Sequence, residues 1–125
     1  MKKIITIALL LVSLIHLIPV SGVLGAERLT TLYGLSFDES NLAILMQHRA
    51  VLFGLLGLFI GYAAFNRAYQ PLAFIAGFIS VISFLLISWT SGNYNQAIQK
   101  VVIADWLALV FLVVAFVCYL LTKKS

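Results

Sequence analysis

Charge is what this chain has least of. Eight basic and four acidic residues make up the formal charge of 125 residues, and all of them sit in the seams between apolar stretches. No Asp, Glu, Lys or Arg occurs in 4–26, 50–66, 68–99 or 106–122. So little polar surface excludes a water-soluble globule. Cysteine is almost absent as well: Cys118 is the only one, so neither an intramolecular disulfide nor a Cys-based metal site is possible. The net charge of +4 does not indicate nucleic acid, because no basic cluster exceeds two adjacent residues. His16 and His48 are the only histidines, and their spacing matches no metal-binding pattern. Walker, dinucleotide-binding, His-x-x-x-His and Gly-x-Ser-x-Gly motifs are missing. No cofactor is expected.

What the chain has instead is length of apolar sequence. A hydrocarbon layer needs about 20 apolar residues per helical crossing, and an ionised side chain at its centre costs a few kcal/mol or more. With 63% hydrophobic residues and a mean hydropathy of +1.12, the chain reads as one all-α transmembrane domain over 1–125, a four-helix bundle. Spans are expected at about 4–24, 47–65, 71–90 and 105–121, with an extracytoplasmic loop at about 25–46. Four crossings put Lys2, Lys3, Arg67, Lys123 and Lys124 on one side. Arg28, Arg49 and Lys100 fall on the other, with Glu27, Asp38, Glu39 and Asp105. Short positively charged segments stay in the cytoplasm, so both termini are expected there. Trp89, Tyr94 and Trp106 mark the outer interface, Tyr69 and Tyr119 the inner one. An alternative is that residues 1–22 form a cleavable signal peptide, since Lys2-Lys3, an apolar run and Val20-Ser21-Gly22 follow that pattern.

Local signals fill in the connections. Leu29, Leu32 and Tyr33 recur at helical spacing and suit a short interfacial stretch. Ser36-Phe37-Asp38-Glu39 fits a capping box, so a helix is expected to begin there and run into span two, with Leu42 and Leu45 over the bundle. The 66–70 connection is a tight turn closed by Pro71. Span two carries Gly54, Gly57 and Gly61 on one face, a small-xxx-small pattern that permits close helix approach. Span three offers Ala76 and Ser80 in a comparable stripe. The short turn predicts that spans two and three pack through these faces; homodimerisation through the glycines is the alternative.

The chemistry rests on polar residues at membrane depth. Counting about 1.5 Å per residue, Arg49 and Asp105 each lie roughly 24 Å above the inner edge, on different helices. His16 lies about one turn lower, and Thr6 and Ser13 extend its face downward. Glu27 and Arg28 stand above this layer and His48 beside it. Arg49 and Asp105 are expected to pair, because an unpaired ion at that depth is costly. One reading makes this pair a structural pin between spans. The other makes Arg49, Asp105, His48, His16, Glu27 and Tyr33 the polar floor of an outward-facing pocket. Proton handling by His16 or His48 is a third.

The segments Leu32-Tyr33-Gly34-Leu35-Ser36-Phe37 and Leu45-Met46-Gln47-His48-Arg49-Ala50-Val51-Leu52-Phe53-Gly54, with Asp105 opening span four, resemble small bacterial four-helix inner-membrane proteins, similar in layout to the DoxX-like proteins. The resemblance implies a multi-pass protein of the bacterial inner membrane and an association with redox or quinone-linked membrane complexes. Such sequences often carry the name phosphopantetheine adenylyltransferase. That name implies a soluble α/β enzyme with a His-x-Gly-His motif, whereas here His48 precedes Arg49-Ala50-Val51 and His16 precedes Leu17-Ile18-Pro19. The expected function is binding of a lipid, quinone or other amphipath in the outer pocket, or service as an accessory subunit. The alternatives are an interaction subunit joined to a homo-oligomer or larger membrane complex through Gly54, Gly57 and Gly61, and a membrane enzyme with a His base. Transport has less support, since no inverted repeat appears.

Overall fold

The computed structural model describes residues 2–20, 30, 31, 33 and 40–123. Among these the chain is all-helical, with four long helices: α1 (Lys2–Leu17), α2 (Ser40–Ala64), α3 (Gln70–Ser91) and α4 (Gln96–Lys123). A short 3₁₀ turn extends α1 to Val20. All four are long and apolar enough to cross a membrane. The expected capping box at 36–39 lies outside the described residues. Leu42 and Leu45 are exposed rather than folded over the bundle.

Two helices begin earlier than the apolar runs suggest. For α4 the reason is a cap. Asn95 Oδ1 accepts the Ile98 N–H at 2.8 Å, which satisfies a first-turn donor and starts the helix nine residues before the expected 105. At 28 residues, α4 is about 42 Å long, against a hydrocarbon layer of about 30 Å. It is thus longer than such a layer is thick, and Asp105 lies within the helix instead of opening it. α2 likewise begins at Ser40, ahead of the expected span start at 47.

The ends of α3 are set by local chemistry. Pro71 stands in its first turn, and Gly92 closes it at φ 76, donating its N–H to Ser88 O at 3.2 Å. In the preceding turn Asn66 Oδ1 accepts the Ala68 N–H at 3.2 Å. Arg67 reaches across to the end of α4, where Nη2 donates to Thr122 Oγ1 at 2.7 Å and to the Tyr119 carbonyl at 3.3 Å. Its guanidinium lies 4.6 Å from the Tyr119 ring centroid. A cation placed on the terminal carbonyls of a helix also meets the negative end of its dipole.

Packing departs from the expected α2–α3 hairpin. α1 packs most extensively, against α2 and α4, whereas α3 leans on α4 and touches α2 less. The glycine face of α2 is filled by α1. A Cβ built on Gly57 would stand 2.9 Å from Leu17 Cδ2 and 3.2 Å from the Ser13 carbonyl, and one on Gly61 would meet Ser13 Oγ at 3.0 Å. With no side chain in the way, α1 hydroxyls reach α2 carbonyls. Ser13 Oγ donates to Gly57 O at 2.6 Å and Thr6 Oγ1 to Ala64 O at 3.0 Å. Both pairs are seven residues apart on each helix, two turns, so the contacts repeat along one antiparallel seam. Between apolar helices in hydrocarbon such packing and hydrogen bonding decide the partner, and the shortness of the 66–70 turn does not. The small residues of α3 face elsewhere: Gly77 lies against Leu112 of α4, and Ser80 turns toward α1. Leu9, Val12, Ile60, Val81 and Leu112 form the buried core. The outward faces are apolar, with Leu55 and Leu58 of α2 61% and 65% exposed, a surface suited to hydrocarbon and not to water.

A candidate polar cavity at the loop end

The bundle's two ends differ. One holds the start of α1, the 66–69 turn and the end of α4. The other, here the loop end, holds the end of α1, the start of α2 and the Gly92–Asn95 connection. At the loop end a cavity of about 360 Å³ opens between α1, α2 and α4. Arg49, Asp105 and His16 line it, with Lys100 and Thr31. The remaining wall is apolar, including Ile15, Ile18, Pro19, Phe53 and Val101. Arg49 and Asp105, assigned to one layer by counting helical rise, and His16, assigned one turn lower, therefore line one cavity.

They do not meet as expected. Among the described residues Arg49 and Asp105 form no direct ion pair, although the arginine's charge acts on the carboxyl across the cavity. Arg49 is held by aromatic groups. Nη1 donates to the Tyr33 hydroxyl at 2.6 Å, and the guanidinium lies 4.4 Å from the Phe53 ring centroid and 6.0 Å from that of Phe84. A planar, weakly hydrated cation stacks on such faces without needing a carboxylate partner. Tyr33 is fixed in turn. It is buried against Met46, Ile98 and Val101, and its carbonyl accepts from Asn95 Nδ2 at 2.7 Å. One asparagine thus starts α4 with its oxygen and ties down the arginine's support with its nitrogen.

His16 closes the cavity floor. Its Nδ1–H donates to Val12 O at 3.0 Å. Because a carbonyl can only accept, Nδ1 carries a proton, and in the neutral ring Nε2 accepts from the Ser80 hydroxyl 3.1 Å away. The Phe53 ring packs beside the imidazole at 5.8 Å. Below this link between α1 and α3 the interior is mostly apolar, with Ser13 and Gln70 the buried polar residues among those described.

The other expected members stand apart. His48 is exposed and does not line the cavity, since neighbouring residues on a helix point about 100° apart. Glu27 lies outside the described residues. Of the expected packing set, Gly54, Gly57 and Gly61 serve α1, and Ser80 serves His16. Among the described residues no group of three His, Cys, Asp or Glu side chains is placed to hold a metal. Lys100, Thr31, Phe53 and Asn95 were not anticipated. The signal for Asn95 was present, as an asparagine ahead of an amphipathic run, and starting α4 there would have brought Lys100 onto the helix.

Chemically, the cavity offers a fixed cation, a carboxyl and a histidine at the ends of apolar walls. That arrangement orients a polar head and shelters an apolar body. Comparisons with protein-family models, with curated proteins and with solved structures return no significant match. The class defined by the fold is a four-helix bundle with four potential membrane spans.

Proposed function

We propose that the chain is a multi-pass protein of the bacterial inner membrane, both termini cytoplasmic, that binds a small amphipath at its extracytoplasmic end. The single observation that carries this reading is the cavity itself. Its volume, about 360 Å³, falls in the range of small-molecule sites, and such sites are mostly apolar with a few convergent polar groups. Arg49 receives an anionic or strongly accepting head group, such as a carboxylate, a phosphate or a quinone carbonyl. Asp105 accepts from any donor on the same head. The apolar part lies along Ile15, Ile18 and Phe53. The DoxX-like resemblance supports a membrane complex in which the chain presents such a ligand to a partner as an accessory subunit. Assembly through the glycine face has less support, because α1 occupies it.

The test is purification in mild detergent, followed by mass spectrometry of the organic extract and of co-purifying proteins. A lipid, quinone or related amphipath in stoichiometric amount is expected. A protein that carries only detergent when extracted from its own membrane under several mild conditions contradicts the reading.

A further inference from the structure

A second pocket, of about 280 Å³, lies at the opposite end of the bundle, between the first turns of α1 and the junction of α2 with α3. Lys2, Thr6, Phe65, Arg67 and Gln70 contribute to its wall. Three features point to one kind of occupant. First, this end is cationic throughout: it carries Lys2, Lys3, Arg67 and Lys123, whereas the only acid among the described residues, Asp105, is at the loop end. Second, two of these cations, Lys2 and Arg67, stand in the pocket wall itself, and no acid is among the residues that line it. Third, Gln70 is only 5% exposed, its Nε2 donates to Ala63 O at 3.1 Å, and its Oε1 is buried with no partner. Buried acceptors are nearly always paired, so this one requires a donor that the described residues do not supply.

We infer that this pocket binds the head group of a membrane phospholipid, a phosphodiester bearing a hydroxylated alcohol such as glycerol. The phosphate lies between Lys2 and Arg67. Arg67 has Nη2 committed to the end of α4, and its charge and remaining N–H groups serve the phosphate. A glycerol hydroxyl enters beside Gln70 and donates to Oε1. The acyl chains leave over Phe65, which is 74% exposed. A choline head group has no N–H or O–H to donate and lacks net negative charge, so it is selected against twice.

The test is native mass spectrometry of the purified full chain, titrated with lipids of identical acyl chains. The Arg49→Met variant serves as a background in which the loop-end cavity is disabled. Phosphatidylglycerol is expected to bind roughly threefold to tenfold more tightly than phosphatidylmethanol, which has the same charge and no hydroxyl. Phosphatidylcholine is expected to be weakest. In Gln70→Leu the preference for glycerol over methanol disappears while both anionic lipids still bind, and Lys2→Gln weakens both alike. Equal binding of phosphatidylglycerol and phosphatidylmethanol to the unsubstituted Gln70 protein overturns the proposal, whether or not Gln70→Leu folds. So does tight phosphatidylcholine binding. Soluble glycerol 3-phosphate at millimolar concentration is expected not to compete, and full competition by it overturns the assignment to a lipid.

Discussion

Arg49 and Arg67 are the two arginines described in the bundle, one near each end, and they are used differently. Arg67 is consumed by structure: it caps α4 through the Tyr119 carbonyl and the Thr122 hydroxyl and stacks on Tyr119. Arg49 touches no terminal carbonyl. Its one hydrogen bond to a described residue goes to a tyrosine hydroxyl, its face rests on Phe53, and it lines a cavity with Asp105 and His16. An arginine that closes a helix end holds the fold together. An arginine held by aromatics at the wall of a cavity is positioned for something that enters. The two arginines thus differ in how much of each the fold itself uses: Arg67 is tied to the end of α4, and Arg49 stands at a cavity wall.

Substitutions can break or sharpen that contrast. The largest effect is expected where both ends depend on α1. Gly57→Leu drives its side chain into Leu17 and the Ser13 backbone, and should cost about 3 kcal/mol, read as a lower unfolding midpoint in detergent and as loss of ligand. Next comes Arg67→Met, which strips two charge-assisted hydrogen bonds from the end of α4. A loss of about 2 kcal/mol is expected, with the loop-end ligand retained. Ser13→Ala removes the 2.6 Å bond to Gly57 O and should cost about 1 kcal/mol by the same assay. Arg49→Met should change the stability of the ligand-free protein by about 1 kcal/mol or less, yet abolish ligand retention. If Arg49→Met destabilises more than Arg67→Met, the contrast fails and Arg49 is a structural pin.

How much of this was legible in the sequence differs by level. The four long helices, and the ends at which Lys2, Lys3, Arg67, Lys100, Asp105 and Lys123 stand, followed from the charge-free runs, because excluding ions from hydrocarbon is a large and simple effect. The convergence of Arg49, Asp105 and His16 followed from counting rise along helices of known pitch. Which helix fills the glycine groove did not follow. Pairing between apolar helices turns on small differences, here the register of Thr6 and Ser13 with the carbonyls of Ala64 and Gly57, and the turn length was a misleading guide. The partner of Arg49 was missed for a related reason. Charge alone pointed to Asp105, whereas Tyr33 is held in place by Asn95, sixty-two residues away. The early start of α4 was hidden because Lys100 and Asp105 were read as bounding the span, when they stand on the helix itself, in the turns nearer its loop end.

The central claim is that Arg49 holds a ligand and Arg67 holds the fold. Native mass spectrometry of the wild type, Arg49→Met and Arg67→Met, released from the same mild detergent, tests it directly. The account predicts the loop-end amphipath on the wild type and on Arg67→Met, and its loss from Arg49→Met. Equal retention by all three, or loss from Arg67→Met with retention by Arg49→Met, would contradict it.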